Sequence, residues 1–212
     1  MQVIVLSGQN HRFNESAHVI QDFLNQNAEI KAELIEDKNI LLNLNRYDVC
    51  VFGTGFTNVV RHEDGNIEHR NDLTHEQERG LFDYVAGGGG LVGVHGAAWQ
   101  VPSRAVTLLG GHANWHPPGL TFEVKIEDHE HEITSGIQNF EVDDEIYMSA
   151  WDPSIHILAS AIWEDNPSQP MAWTQKYGEG RVFYTTLGHG PATFKRAMMQ
   201  QLVTNSVVWA AG

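Results

Sequence analysis

Histidine sets the question for this sequence: twelve are present in 212 residues, nearly as many as the thirteen lysines and arginines together. Imidazole suits proton transfer near neutral pH and is a common metal ligand, so what matters is where these residues gather. His95 stands in Gly93-Val94-His95-Gly96-Ala97, with small residues two before and two after it. That is the spacing of a nucleophile elbow, a strained strand-to-helix turn that pushes its central side chain into a crevice. A histidine there can act as general base, electrostatic stabiliser or ligand, or merely cap the following helix. Glu145 lies in Asp143-Asp144-Glu145, just ahead of the apolar Ile146 and Tyr147. A strand starting at Glu145 would turn one carboxylate inward. His189 follows Thr186-Leu187-Gly188 and has glycine on both sides, which permits close approach of a ligand. His95, Glu145 and His189 are the candidate catalytic groups.

Metal chemistry is the alternative use of such groups. His112 and His116 are four apart and His129 and His131 two apart, and Glu145 or Asp128 would complete a mixed nitrogen–oxygen ligand set. His95, His116, Glu145 and His189 are then the candidate ligands of a divalent ion, zinc or manganese. Against it, Pro117 and Pro118 keep His116 out of a regular helix. The run Asp128-His129-Glu130-His131-Glu132 reads equally as a solvated acidic turn.

Something must carry these groups to one place. Val3 to Leu6 is a short apolar run ended by Ser7-Gly8, as expected of a strand buried on both faces. Asn14 is placed to cap a helix running to about Asn27, with Ala17, Ile20, Phe23 and Leu24 on one face. Ala32 to Ile35, Asp48 to Phe52 and Leu91 to Val94 read as further strands. Phe56 to Leu73 is polar, shows no periodicity, holds His62 and His69, and reads as a loop or lid. Thr74 and Gln77 have capping-box spacing ahead of a helix that buries Leu81, Phe82 and Val85. This βαβ rhythm predicts a doubly wound, mainly parallel sheet in one domain spanning residues 1–212. In the second half, Thr121 to Ile126, Glu145 to Met148, His156 to Trp163, Met171 to Thr174 and Arg181 to Thr185 read as short strands. They either extend the sheet or form a small antiparallel layer. A helix from about Thr193, carrying Phe194, Met198, Leu202 and Trp209, closes the chain.

Open sheets of this kind bind ligands beyond the carboxyl ends of their strands. The first, third and fourth strands run into His11, Thr54 and His95 respectively, so that topology would bring the three together.

Composition removes other classes. A formal net charge of −14 and the absence of a Lys/Arg run argue against a nucleic-acid partner. No apolar run approaches the roughly 20 residues of a membrane span. The first residues enter a strand pattern without the basic and apolar regions of a signal peptide, so a cytoplasmic location is expected. The single cysteine, Cys50, sits in Val49-Cys50-Val51-Phe52 and reads as a buried strand residue.

Several ordered blocks resemble the trehalose-utilisation (ThuA-like) family. They are Gly88-Gly89-Gly90-Leu91-Val92-Gly93-Val94-His95-Gly96-Ala97, Gly110-Gly111 followed by His116-Pro117-Pro118, His131-Glu132-Ile133-Thr134-Ser135-Gly136-Ile137, Asp144-Glu145-Ile146-Tyr147, and Gly180-Arg181-Val182-Phe183-Tyr184-Thr185-Thr186-Leu187-Gly188-His189. The resemblance implies a class I glutamine amidotransferase-like, flavodoxin-like fold. It also implies a role in sugar metabolism, on disaccharides oxidised at the 3-position by a partner dehydrogenase. Amidotransferase activity itself is disfavoured, because that chemistry needs a cysteine at the elbow. The matched positions nominate His11, His95, His116, Glu145 and His189 as pocket residues. His131 fits its block, although the family usually has proline where this chain has Glu132. Tyr147 joins Thr54, His11, His116 and His131 as a substrate contact. Trp115 and Trp151, read as loop residues, offer an apolar platform for a sugar face.

The expected reaction is a lyase or hydrolase step on a 3-keto-glycoside, whose 3-carbonyl acidifies the neighbouring C–H. A histidine or Glu145 would remove that proton while another histidine assists the departing oxygen. A non-catalytic sugar-binding or regulatory module and a metal-dependent hydrolase are the alternatives. The expected partner is a small-molecule carbohydrate. An exposed strand edge or apolar second-half surface would support a homo-oligomer.

Overall fold

The computed structural model describes residues 1–8, 12–53, 56–100 and 102–212. Its first half alternates as expected: β1 (Gln2–Leu6), α1 (Phe13–Leu24), β2 (Lys31–Ile35), β3 (Val49–Phe52), the hairpin β4 (Thr57–Arg61) and β5 (Ile67–Asn71), α2 (His75–Ala86) and β6 (Gly90–Val94). Then follow α3 (Ala97–Gln100), α4 (Pro102–Leu109), β7 (Gly111–Trp115), β8 (Leu120–Ile126), β9 (Phe140–Asp144), β10 (Met148–Trp151), β11 (His156–Ala161), β12 (Gln169–Tyr177), β13 (Gly180–Thr185), α5 (Pro191–Phe194) and α6 (Ala197–Ala211).

The main sheet has nine strands in the order β2-β1-β3-β6-β13-β12-β11-β8-β9. The first five are mutually parallel, in flavodoxin-like order. The remaining four pair antiparallel. The second half therefore does both things the sequence allowed: it extends the sheet, and β7 and β10 form a separate two-stranded ribbon. The parallel strands are buried on both faces, which is why Val3–Leu6, Val49–Phe52 and Gly90–Val94 read as unbroken apolar runs. One face packs with α1 and α6 through Ile20, Phe23, Leu202 and Val207; the other packs with α2 and α4 through Leu81, Val85 and Leu109.

Four local expectations change. Helix α1 begins at Phe13 behind Arg12, whose φ is 54°, so Asn14 lies in the first turn and not at the cap. The buried Phe13 ring decides this, filling the space a side chain at Gly53 would need. Residues 56–73 are no loop: β4 and β5 pair antiparallel from Thr57↔Asn71 to Arg61↔Ile67. Their turn is closed by Gly65 at φ 84° and by Asn66 N–H donating to Asp64 Oδ1. Standing off the main sheet as a ribbon of its own, the hairpin needs no buried apolar face, and its periodicity is muted accordingly. Glu145, Ile146 and Tyr147 lie between β9 and β10 and start no strand. Trp115 and Trp151 sit on β7 and β10, where the sequence suggested loops. The Thr74–Gln77 capping box forms as read, with both reciprocal bonds; α2 buries Leu81, Tyr84 and Val85, with Phe82 only partly covered.

Candidate functional site

The elbow is present. His95, immediately beyond β6, has φ 44°, a left-handed conformation unusual for a residue with a Cβ. Tertiary contacts hold it there: its N–H donates to Thr185 O at 2.7 Å and its carbonyl accepts from the Tyr184 hydroxyl. Gly93 is needed two residues earlier, because a Cβ there would sit 2.9 Å from the Tyr184 ring. The turn buries the imidazole completely. Nδ1 lies 2.8 Å from Thr186 O, and since a carbonyl only accepts, Nδ1 carries the proton. Nε2 of the neutral ring is therefore an acceptor, and the Tyr147 hydroxyl donates to it at 2.9 Å. Burial pushes the His95 pKa below the ordinary histidine value, against the opposing pull of Asp144, the Thr186 bond and Glu145.

Glu145 is the hub. Its Oε2 lies 3.6 Å from His95 Nε2, and its Oε1 lies 3.1 Å from His189 Nδ1 and 3.6 Å from His116 Nδ1. Burial alone would raise its pKa. The His189 hydrogen bond and the fields of His95, His189 and His116 together outweigh that, leaving it below the usual carboxylate value. His189 moves the other way. Its hydrogen bond to Glu145 raises its pKa above the ordinary histidine value, more than partial burial lowers it. Both shifts favour the ion pair of carboxylate and imidazolium. Among the described residues, the buried Oε2 of Glu145 has no hydrogen-bond partner.

Asp144 is the group the sequence reading missed. Its carboxylate accepts from Gly188 N–H (2.8 Å), His189 N–H (3.2 Å), the Thr193 hydroxyl (2.7 Å) and Glu145 N–H (2.8 Å). It therefore clamps the turn carrying His189 onto the turn carrying Glu145. Gly188, at φ 124°, backs onto the Phe194 ring and His95 Cβ with no room for a side chain. A signal for Asp144 existed: β9 alternates exposed and buried, and Asp144 falls on the buried phase with Val142.

A groove of about 420 Å³ opens beside Glu145 and His189, lined also by Gly119, Leu120, Thr121, Asp143 and Thr193. That volume is within the range of small-molecule sites, about 300–1,000 Å³. The structure thus brings together His95, His116, Glu145, Tyr147 and His189. It does not bring His131. Because β11 and β13 both run antiparallel to β12, β11 runs parallel to β13 and β6, and β8, antiparallel to β11, runs the other way; the loop after Ile126 therefore lies at the other end of the sheet from His95. There His131 stacks on His156 and Trp209. Trp115 lies beside the site on β7, half exposed, with its ring against Trp163. His11 and Thr54 lie outside the described residues. As a ligand set, His95, Glu145 and His189 have donor atoms within 4.8 Å of one another.

Parallel strands in the 2-1-3-4-5 order, with histidine at the elbow, define an amidotransferase-like fold that lacks the amidotransferase nucleophile. Cys50 is buried mid-strand and its thiol is pushed up to about 12. The chain belongs to the ThuA (trehalose utilisation) family, whose pattern matches residues 2–210. Among solved structures it is similar to a ThuA-like protein of Parabacteroides merdae (20% identity, TM-score 0.75, covering 99% of this chain and 89% of that one). A ThuA-like protein of Bacteroides uniformis gives 19% identity and TM-score 0.74, covering 99% and 91%. A cytoplasmic protein of Salmonella typhimurium LT2 gives 15% identity and TM-score 0.68, covering 99% of each chain. No curated protein sequence matches the chain. Among the described residues no helix is long and apolar enough to cross a membrane.

Proposed function

We propose that the chain is a cytoplasmic carbohydrate-metabolism enzyme, a lyase or hydrolase that cleaves a 3-keto-glycoside by acid–base chemistry. The observation that carries this reading is the buried Glu145 carboxylate held 3.1 Å from His189 Nδ1 at the edge of a groove. Membership of a trehalose-utilisation family supports the sugar class. The substrate's 3-carbonyl acidifies the C2–H. Glu145 Oε2 accepts that proton, and the electron pair enters the carbonyl as an enolate. Collapse of the enolate breaks the C1–O bond, and His189, donating from Nε2, protonates the departing oxygen. The products are an enone and a free sugar hydroxyl; hydrolysis follows when water adds at C1. His116, partly exposed beside Oε1, is placed to contact the substrate. His95 is fully buried with both nitrogens occupied, so its part is to hold the Tyr147 hydroxyl beside Glu145.

The test is release of glucose from 3-keto-trehalose by the purified protein. The rate should be bell-shaped in pH. The acid limb lies below the usual carboxylate range because Glu145 must be ionised, and the alkaline limb lies above the ordinary histidine value because His189 must be protonated. No release from any 3-keto-glycoside would sink the reading and favour a sugar-binding or regulatory module.

A second reading has one observation in its favour: the donor atoms of His95, Glu145 and His189 are close enough to share a zinc or manganese ion. It requires Tyr147 to surrender its bond to His95 Nε2. Stoichiometric metal by elemental analysis of untagged protein, with activity lost to chelator, would favour it.

A further inference from the structure

Three imidazoles surround the Glu145 carboxylate, and the partners of their ring nitrogens give each a different capacity. His95 is wholly buried, with Nδ1 turned to Thr186 O and Nε2 accepting from the Tyr147 hydroxyl. His189 directs Nδ1 to Glu145 Oε1 at 3.1 Å. His116 also approaches Oε1, at 3.6 Å, but its Nδ1 lies closer to Pro117 O, at 2.9 Å. A carbonyl oxygen only accepts, so His116 Nδ1 carries a proton. In the neutral ring Nε2 is then a bare lone pair, on a side chain that is 33% exposed. Among the described residues nothing donates to it.

Local sequence explains the arrangement. Prolines at 117 and 118 disfavour helical backbone at His116 and Pro117, which restricts where the carbonyl addressed by the ring can sit. β7 ends at Trp115, which pairs with Met148 across the ribbon, so His116 emerges beside the Glu145–Tyr147 turn. Its ring lies 5.6 Å from that of Tyr147. The device matches the one at His95, where Thr186 O sets the same tautomer. There the Nε2 lone pair is taken by Tyr147; at His116 no described protein group takes it.

The elimination described above leaves work for such a group. It ends with the C2 proton on Glu145, His189 one proton short, and an enone that must take up water at C1 if the glycoside is to be hydrolysed. We infer that His116 Nε2 is the general base of this second half-reaction, an assignment that rests on the acid–base reading above. Water gives a proton to Nε2 as its oxygen bonds to C1, and the C1–C2 π pair moves into the carbonyl as an enolate. C2 then takes back the proton held by Glu145, giving the 3-keto sugar with a hydroxyl at C1. His116 ends with one extra proton, which balances the one His189 gave to the departing sugar, so exchange with solvent restores the starting state. The base of one half-reaction and the acid of the other flank a single carboxylate oxygen.

The two half-reactions are followed separately. Glucose release from 3-keto-trehalose reports elimination; loss of ultraviolet absorbance, with the isolated enone as substrate, reports hydration. His116→Asn keeps an amide N–H for Pro117 O and has no group at the Nε2 position. It should slow hydration by about 10²-fold and elimination far less, so that enone accumulates where the wild-type protein yields 3-ketoglucose. His116→Ala should behave alike, and added imidazole should restore its hydration rate, a rescue that a misfolded protein does not show. Undiminished hydration in His116→Asn, or equal losses in both steps without rescue, would overturn the assignment. So would a wild-type protein whose end product is the enone: the lyase reading then stands, and His116 has no second step to serve. A wild-type protein that acts on neither compound removes the acid–base reading itself, and the His116 role with it.

Discussion

The two ends of the sheet each hold a carboxylate, imidazoles and an aromatic ring, yet they are built for different things. At the carboxyl end of the parallel strands, Glu145 is buried among His95, His116 and His189, and one of its oxygens has no hydrogen-bond partner among the described residues. At the other end, Asp128 is bonded to His156 at 2.8 Å and to the Glu130 and His131 N–H groups, in a loop at the surface. His131 packs on His156 and Trp209. The Asp128 carboxyl is lowered because its partners satisfy it, first among them His156. The Glu145 carboxyl is lowered although burial opposes it. A satisfied carboxylate closes a loop; an under-satisfied, charged one at a groove is equipped for chemistry.

The widest separation between the two ends should appear on removing each carboxylate. Glu145→Gln should cut kcat/KM for 3-keto-trehalose by a factor of about 10² to 10⁴, while Asp128→Asn leaves it unchanged. Comparable losses in both variants would erase the distinction.

Asp144→Asn tests whether the clamp matters as much as the hub. An amide cannot accept every donor that now converges on the carboxylate, so the His189 turn should shift. A displacement of that kind costs on the order of 10²-fold in rate, with a stability loss of about 1–3 kcal/mol. Its signature is the alkaline limb of the pH profile moving back toward the ordinary histidine value as His189 leaves Glu145. An unmoved limb with lower Tm would make Asp144 purely structural.

Tyr147→Phe should be milder, about tenfold in kcat at little change in KM and about 1 kcal/mol in stability, because one buried bond to His95 Nε2 is lost. A normal kcat would detach His95 from the chemistry.

His131→Gln should change the least. Burial lowers the His131 pKa foremost, so the unfolded chain binds its proton more readily. That contribution to stability is full above the unfolded value of about 6.5 and is lost as pH falls through the lower folded value. The variant should flatten the drop in Tm over that window and leave turnover untouched. Reduced turnover would mean that the far end communicates with the groove.

Much of the fold was legible. The apolar runs at Val3–Leu6, Val49–Phe52 and Leu91–Val94 mark strands because parallel strands are buried on both faces. The elbow at His95 was legible because only small neighbours permit so sharp a turn. The hairpin across residues 57–71 was not, since a ribbon outside the main sheet carries little hydrophobic alternation. His131 was misplaced for a different reason. Its block fits the family pattern, but only the antiparallel register of β8 and β11 decides which end of the sheet it occupies.

By itself the sequence determined the class of fold, the absence of an elbow thiol and the short roster of groups able to move protons. Those follow from local rules: residue type, turn geometry and apolar periodicity act within a few positions. Which histidines meet which carboxylate was decided by tertiary structure alone. Glu145, His95 and His189 are 44 to 94 residues apart in the chain, and strand order, strand direction and the Asp144 clamp bring both imidazoles within 3.6 Å of the Glu145 carboxylate. The same packing sets their charges, because burial lowers His95 while contact with Glu145 raises His189.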